Sequence, residues 1–304
     1  MLDKEIIIRR LAIIKHLYTI GVQHSMQVDA VAAFSILAFH DCAEMFLLLV
    51  AEDKGDKTEN ISFMEFWDKY PNLTLKESMR RLKDRRVSIK HKGLFPSKTD
   101  IEISRITMTD FLCQNTPIQF GIEFTDVSVS NLISYDNVKE YVDKATMCLA
   151  EGQLYDCLIN SKIAFSELMF TYENSKKKQF WIGSRIAVGE KIGNGYKELI
   201  DNTHVRCGNR WFEQVTETIN RLRDVLKITA LGIDYKKYTF FETITPMIFE
   251  WCEEKGRQYQ AMPQEDFEER NRIRSEDCEF CIDFVIDCAL KLQDFDYDIN
   301  SVIK

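Results

Sequence analysis

From Val28 to Ala51 the chain is apolar around most of a helix: Val31, Phe34, Ile36, Leu37, Cys42, Met45, Phe46, Leu49 and Val50 leave little polar surface. Such a helix has no wet side to turn outward, so it belongs at the centre of a bundle, packed on several sides. The segments around it read as helix too. Ile6 to Tyr18 carries apolar residues at three-to-four spacing, and Phe63, Phe66 and Trp67 form a shorter piece closed by Tyr70-Pro71. Thr74 with Glu77 three places on is a capping-box pattern that starts a helix ending at Gly93, and Ser97 caps another running to about Gln114. Beyond Asn115 the periodicity weakens through Pro117 and Gly121 to Ile133, an irregular crossing or short strand pair. Helix returns from Tyr135 to Lys176 with a break near Gly152, from Trp211 to Gly232, and from Pro263 to Leu292; Tyr235 to Pro246 reads as aromatic and less regular. The expectation is an all-α protein: a helical bundle over residues 1–115, an irregular connection over 116–135, and a second helical domain over 136–304 whose role the sequence does not assign.

Several function classes find no support. With only 5 Pro and 12 Gly in 304 residues, long linkers and low-complexity segments are not expected. The N-terminus lacks a signal-peptide pattern and no run reaches the roughly 18 apolar residues of a membrane span, which predicts a cytoplasmic protein with no membrane partner. Gly193-x-Gly195, in a glycine-rich loop from Gly183, lacks the third glycine and the preceding strand of a dinucleotide fingerprint. The nine cysteines are odd in number and scattered, as buried reduced thiols are. Cys278-x-x-Cys281 has no second pair to complete a four-ligand zinc site, and with Val285 and Cys288 it follows one apolar helix face. The five histidines form no HxxxH or HExxH pair. No metal and no cofactor is expected.

Charge is distributed unevenly. The formal net charge is -8, and residues 264–298 are strongly acidic, yet residues 80–92 hold seven Lys/Arg and one His against the single acid Asp84. Within that run Arg86 stands five residues before His91, and Gly93 closes the helix, which puts His91 in the last turn. There the carbonyl end of the dipole favours the imidazolium. A fixed cation beside a group that titrates near neutrality suits work on a phosphodiester: Arg86 to grip a phosphate and offset charge on its oxygens, His91 to move a proton. A five-residue offset turns about 140° on an ideal helix, so the two side chains must reach around a groove edge or the helix must distort. Arg81, Arg85, Lys90 and Lys92 are candidates for steering phosphates. His204, in Asn202-Thr-His-Val-Arg206, is a lesser polar candidate. The plain alternative is a solvated basic helix face.

Arg86-Val-Ser-Ile-Lys-His91-Lys-Gly93 resembles the Arg-x4–6-His signature of HEPN domains, small all-helical bundles found in prokaryotic toxin and phage-defence systems. His40-Asp41-Cys-Ala-Glu44-Met-Phe-Leu47 is similar to that family's long helix, on which an acidic or polar residue faces the Arg/His groove. The likeness covers residues 5–115. It implies a metal-independent endoribonuclease, acting on tRNA or other cellular RNA as a homodimer, with a regulatory or antitoxin partner. In that scheme the ribose 2′-hydroxyl attacks phosphorus to leave a 2′,3′-cyclic phosphate. Arg86 stabilises the phosphorane, His91 moves protons, Glu44 or Asp41 fixes Arg86 or His91, and Ser88 fills a polar position inside the motif. The chain departs from the pattern at Val87, where many active members carry Asn, Asp or His. The alternative is a non-catalytic adaptor whose basic groove binds nucleotide, RNA or an acidic protein surface.

Overall fold

The structure is a computed structural model that describes residues 2–58, 61–177, 209–253, 256–294 and 296. It divides into two compact units, Met1–Leu132 and Ile133–Lys304. The glycine-rich segment 183–195 and His204 lie outside the described residues.

Unit 1 is built around the apolar helix. α1 (Lys4–Ser25) starts at Asp3, whose side chain accepts from the Glu5 amide; a short α2 (Asp29–Ala32) leads into α3 (Phe34–Asp53). α3 packs against α1, α5 (Lys76–Lys92) and α6 (Lys98–Phe120), while α4 (Phe66–Lys69) is a single turn on the way to α5. Ile36, Phe39, Phe46, Leu47, Leu49 and Val50 are all fully buried. At roughly 1.5–3 kcal/mol for each large apolar side chain, this helix supplies much of the unit's drive to fold. By length and composition the stretch Ala30–Asp53 is apolar enough to cross a bilayer, and in unit 1 it is the helix at the centre of the core. α1 comes close to it at Gly21, where an added Cβ would lie 2.7 and 2.8 Å from carbons of the Phe39 ring.

Two local expectations are corrected here. Thr74 does not cap α5. Its amide donates to Asn115 Oδ1 (2.9 Å), its hydroxyl accepts from Asn115 Nδ2 (3.0 Å) and its carbonyl accepts from Trp67 Nε1 (2.8 Å). A buried amide on α6 has claimed the residue, and the cap position falls to Leu75, held at φ 61 without a side-chain cap. α6 begins as expected, with Ser97 and Asp100 forming a reciprocal capping box, but it runs on through Pro117 to Phe120. Pro117 removes the N–H donor to the carbonyl four residues back, and the helix ends three residues later. Two 3-10 turns, Phe124–Asp126 and Val129–Leu132, follow, which is the irregular crossing and not the strand pair of the two readings.

Unit 2 opens with the helical hairpin α7 (Asp136–Ala150) and α8 (Leu154–Lys177), turned at Gly152 with φ +76. α9 (Asn209–Ala230), α10 (Tyr235–Ile244), α11 (Gln264–Glu268) and α12 (Ser275–Asp294) complete its helices among the described residues. The aromatic stretch read as irregular is therefore helical over Tyr235–Ile244, and the single C-terminal helix expected is two. Phe165, Phe241 and Phe284 meet at centroid distances of 4.8 to 5.6 Å, joining α8, α10 and α12. Cys278, Cys281 and Cys288 are buried on one face of α12, as the spacing predicts. An antiparallel hairpin, β1 (Ile248–Glu253) with β2 (Gly256–Ala261), pairs Ile248 with Ala261 and Glu253 with Gly256.

Candidate functional site

α5 turns one face to the core through Met79 and Leu82, both fully buried, and through Ile89, packed against the core's edge. Arg86 falls on that same row, at positions 79, 82, 86 and 89. A guanidinium placed where the pattern calls for an apolar residue must find compensation or stay partly desolvated. Its Nε is buried with no hydrogen-bond partner, and its nearest acid is Asp41 of α3, whose Oδ1 lies 3.8 Å away. That is an ion pair beyond hydrogen-bond length, so Nε itself has no acceptor.

α3 contributes the facing wall. His40 is buried, stacked on Phe63 at 4.4 Å between ring centroids. Its Nδ1 stands 3.7 Å from Asp41 Oδ1 and 3.8 Å from Glu44 Oε2, again without a hydrogen bond. Burial, reinforced by the positive charges of Arg86, Lys83 and Lys90, lowers the imidazole to about 4. His40 is therefore neutral at neutral pH, and its approach to the two carboxylates is not an ion pair. One ligating atom each from His40, Asp41 and Glu44 lies within 4.8 Å of the others, with both acids exposed and the imidazole beneath them.

The remaining site candidates divide by face. Lys83, Arg86 and Lys90 share a row, and all three act electrostatically on His40. Arg85 turns the other way: its Nε donates to Asp100 Oδ1 (3.1 Å) and its Nη1 to Ser104 Oγ (3.2 Å), tying α5 to α6. Arg81, Lys90 and Lys92 are exposed, and Ser88 is half-buried with its carbonyl accepting from the Leu94 amide. His91 is exposed in the last turn, ahead of Gly93 at φ 63. Because α5 is continuous from Lys76 to Lys92, Arg86 and His91 point about 140° apart. One chain thus brings Arg86 together with Asp41, Glu44 and His40, and leaves His91 around the helix.

Spacing in the sequence marks two further members of this cluster, His40 and Lys83. His40 and Glu44 stand at i and i+4 on the apolar helix with Asp41 between them, and Lys83 shares its helical row with Arg86 and Lys90. Past Gly93 the surface changes character. Leu94 and Phe95 are exposed, and a cavity of 390 Å³ is lined by Ala30, Phe95, Pro96, Ser97, Lys98 and Ile101. No protein-family model, no curated protein and no solved structure matches this chain.

Proposed function

We propose that unit 1 acts on RNA as a metal-independent endoribonuclease of HEPN type, in which Arg86 holds the scissile phosphate and His91 moves the proton. The observation that carries this reading is the state of Arg86, a guanidinium with a buried, unpartnered Nε beside acids too distant to satisfy it. The Arg86 side chain is 24% exposed, and a phosphate oxygen meeting that exposed part would add a charge-assisted hydrogen bond. As negative charge grows on the phosphorane oxygens that contact strengthens, which is the differential interaction catalysis needs. Asp41 and Glu44 orient Arg86, Lys83 and Lys90 extend the positive row, and exposed Arg81 and Lys92 steer the polyanion. The resemblance adds the cyclic-phosphate product and the pairing of two copies across one cleft. With Arg86 and His91 on different sides of α5, a second copy would supply the histidine that completes each site. A toxin or phage-defence setting, with a regulatory partner, follows from the resemblance.

Cleavage of labelled tRNA and total RNA in EDTA tests the reading. The expected result is cleavage with cyclic-phosphate ends, abolished by both Arg86→Ala and His91→Ala. Strict dependence on added magnesium would refute the mechanism. The angle between Arg86 and His91 favours one rival, a non-catalytic RNA-binding module. It predicts RNA binding that survives His91→Ala, and no products from the wild type.

A further inference from the structure

We infer that His40, Asp41 and Glu44 form a binding site for one divalent transition-metal ion of the Zn²⁺ class, which competes with Arg86 for Asp41. The buried imidazole makes this more than a pair of surface acids. His40 is 3% exposed, and its Nδ1 is unpartnered and aimed between the two carboxylates. Nitrogen and oxygen ligands about 2.1 Å from zinc lie roughly 3.4 Å apart in a tetrahedral shell. The separations of 3.7 and 3.8 Å from Nδ1 close to that with a few tenths of an ångström of movement, and the two acids, within 4.8 Å of each other, are half-exposed side chains free to draw together. His40 and Glu44, one helical turn apart, chelate from a rigid element, and the fourth position opens to water. The donor set of one imidazole and two carboxylates suits Zn²⁺ and its neighbours better than Mg²⁺ or Ca²⁺, which take mainly oxygen.

Three cations oppose the ion. Lys83, Arg86 and Lys90 all act on His40, and Arg86 lies nearest the ligand set. A metal at Asp41 Oδ1 removes the acid that orients Arg86 and turns the guanidinium away. The affinity is therefore set by a contest between two positive charges for one carboxylate, and substitutions on the two sides of that contest act in opposite directions. The consequence for cleavage, and only that consequence, rests on the ribonuclease reading: an occupied site disorders Arg86 and slows the reaction, so a chelator preserves activity.

Titration of the whole protein with Zn²⁺, and with Co²⁺ followed by its visible absorption, tests the site without RNA. One saturable ion per chain is expected. Glu44→Gln, half-exposed and not needed for the core, weakens it at least about tenfold, whereas Arg86→Gln tightens it. His40→Ala abolishes it, and the Glu44 variant keeps the test intact if loss of the ring beside Phe63 prevents folding. No saturable binding, or equal affinity in wild type and Glu44→Gln, overturns the inference. Cleavage assays with Zn²⁺ or EDTA separate the two claims. Metal binding without cleavage under any condition retains the site and sinks the ribonuclease. EDTA-resistant cleavage without metal binding does the reverse.

Discussion

Among the side chains gathered around Arg86, His40 is the one whose environment departs most clearly from its ordinary one. Its folded-state value of about 4 lies below the usual 6.5. The unfolded chain therefore takes up a proton on acidification before the folded one does. Its contribution to stability is present in full above pH 6.5, declines as pH falls toward 4, and is gone below. The loss across that window is on the order of 3 kcal/mol, at about 1.4 kcal/mol per unit. In EDTA, thermal unfolding of the wild type should drop more steeply between pH 7 and 4.5 than that of His40→Gln. Parallel curves would show that the imidazole is not buried as described. The basic run offers a second contrast. Arg85→Ala removes the hydrogen bonds to Asp100 and Ser104 and should cost about 1 kcal/mol in denaturant unfolding. Arg81→Ala and Lys92→Ala should leave stability within about 0.5 kcal/mol, while reducing RNA affinity and its salt dependence. The chemical type of these residues was legible from composition and spacing. Which face each one served was not, since Arg85 and Arg86 are adjacent letters that point to different helices.

At the level of elements, the helices were readable because their apolar spacing is set by local geometry, and α3 stood out through its lack of any polar side. What escaped was decided at long range. Thr74 has the residue type and spacing of a cap, yet Asn115, 41 positions later, binds its amide and hydroxyl. The β1–β2 hairpin left little trace because β1 is exposed along nearly its whole length, which erases the alternation that marks a half-buried strand. Asn115 is fully buried and also donates to the Phe111 carbonyl at 2.8 Å. Asn115→Leu should therefore strand the Thr74 amide and destabilise unit 1 by about 1–3 kcal/mol. At the α1–α3 approach, Gly21→Ala drives a methyl into the Phe39 ring and should cost about 1–3 kcal/mol. Because Phe39 precedes His40, the same substitution should disturb the His40 imidazole stacked on Phe63, seen as a change in the His40 ring signals by NMR.

For the whole molecule, the separation of Arg86 and His91 about α5 has a consequence that a single polypeptide cannot test. If each site draws its histidine from a second copy, mixing Arg86→Ala with His91→Ala protein should restore part of the cleavage that neither retains alone. Restoration requires subunit exchange, so the variants should be co-expressed and the mixed dimer isolated by two tags. A mixed dimer as inactive as its parents would place both groups in one chain's site, whereas a His91→Ala protein that still cleaves would remove His91 from the reaction. The division at Leu132 and Ile133 frames the experiment, since His40, Asp41, Glu44, Arg86 and His91 all belong to unit 1.

α5 is fastened to α6 at two levels, by Asn115 on Thr74 just before its start and by Asp100 and Ser104 on Arg85 at its middle. Lys83, Arg86 and Lys90 therefore travel as one comb rather than as independent teeth. The gap between that comb and the carboxylates of α3 is gauged by α6, a third helix packed on both. Anything that slid α6 along its axis by part of a turn would retune the whole charged row at once, from behind.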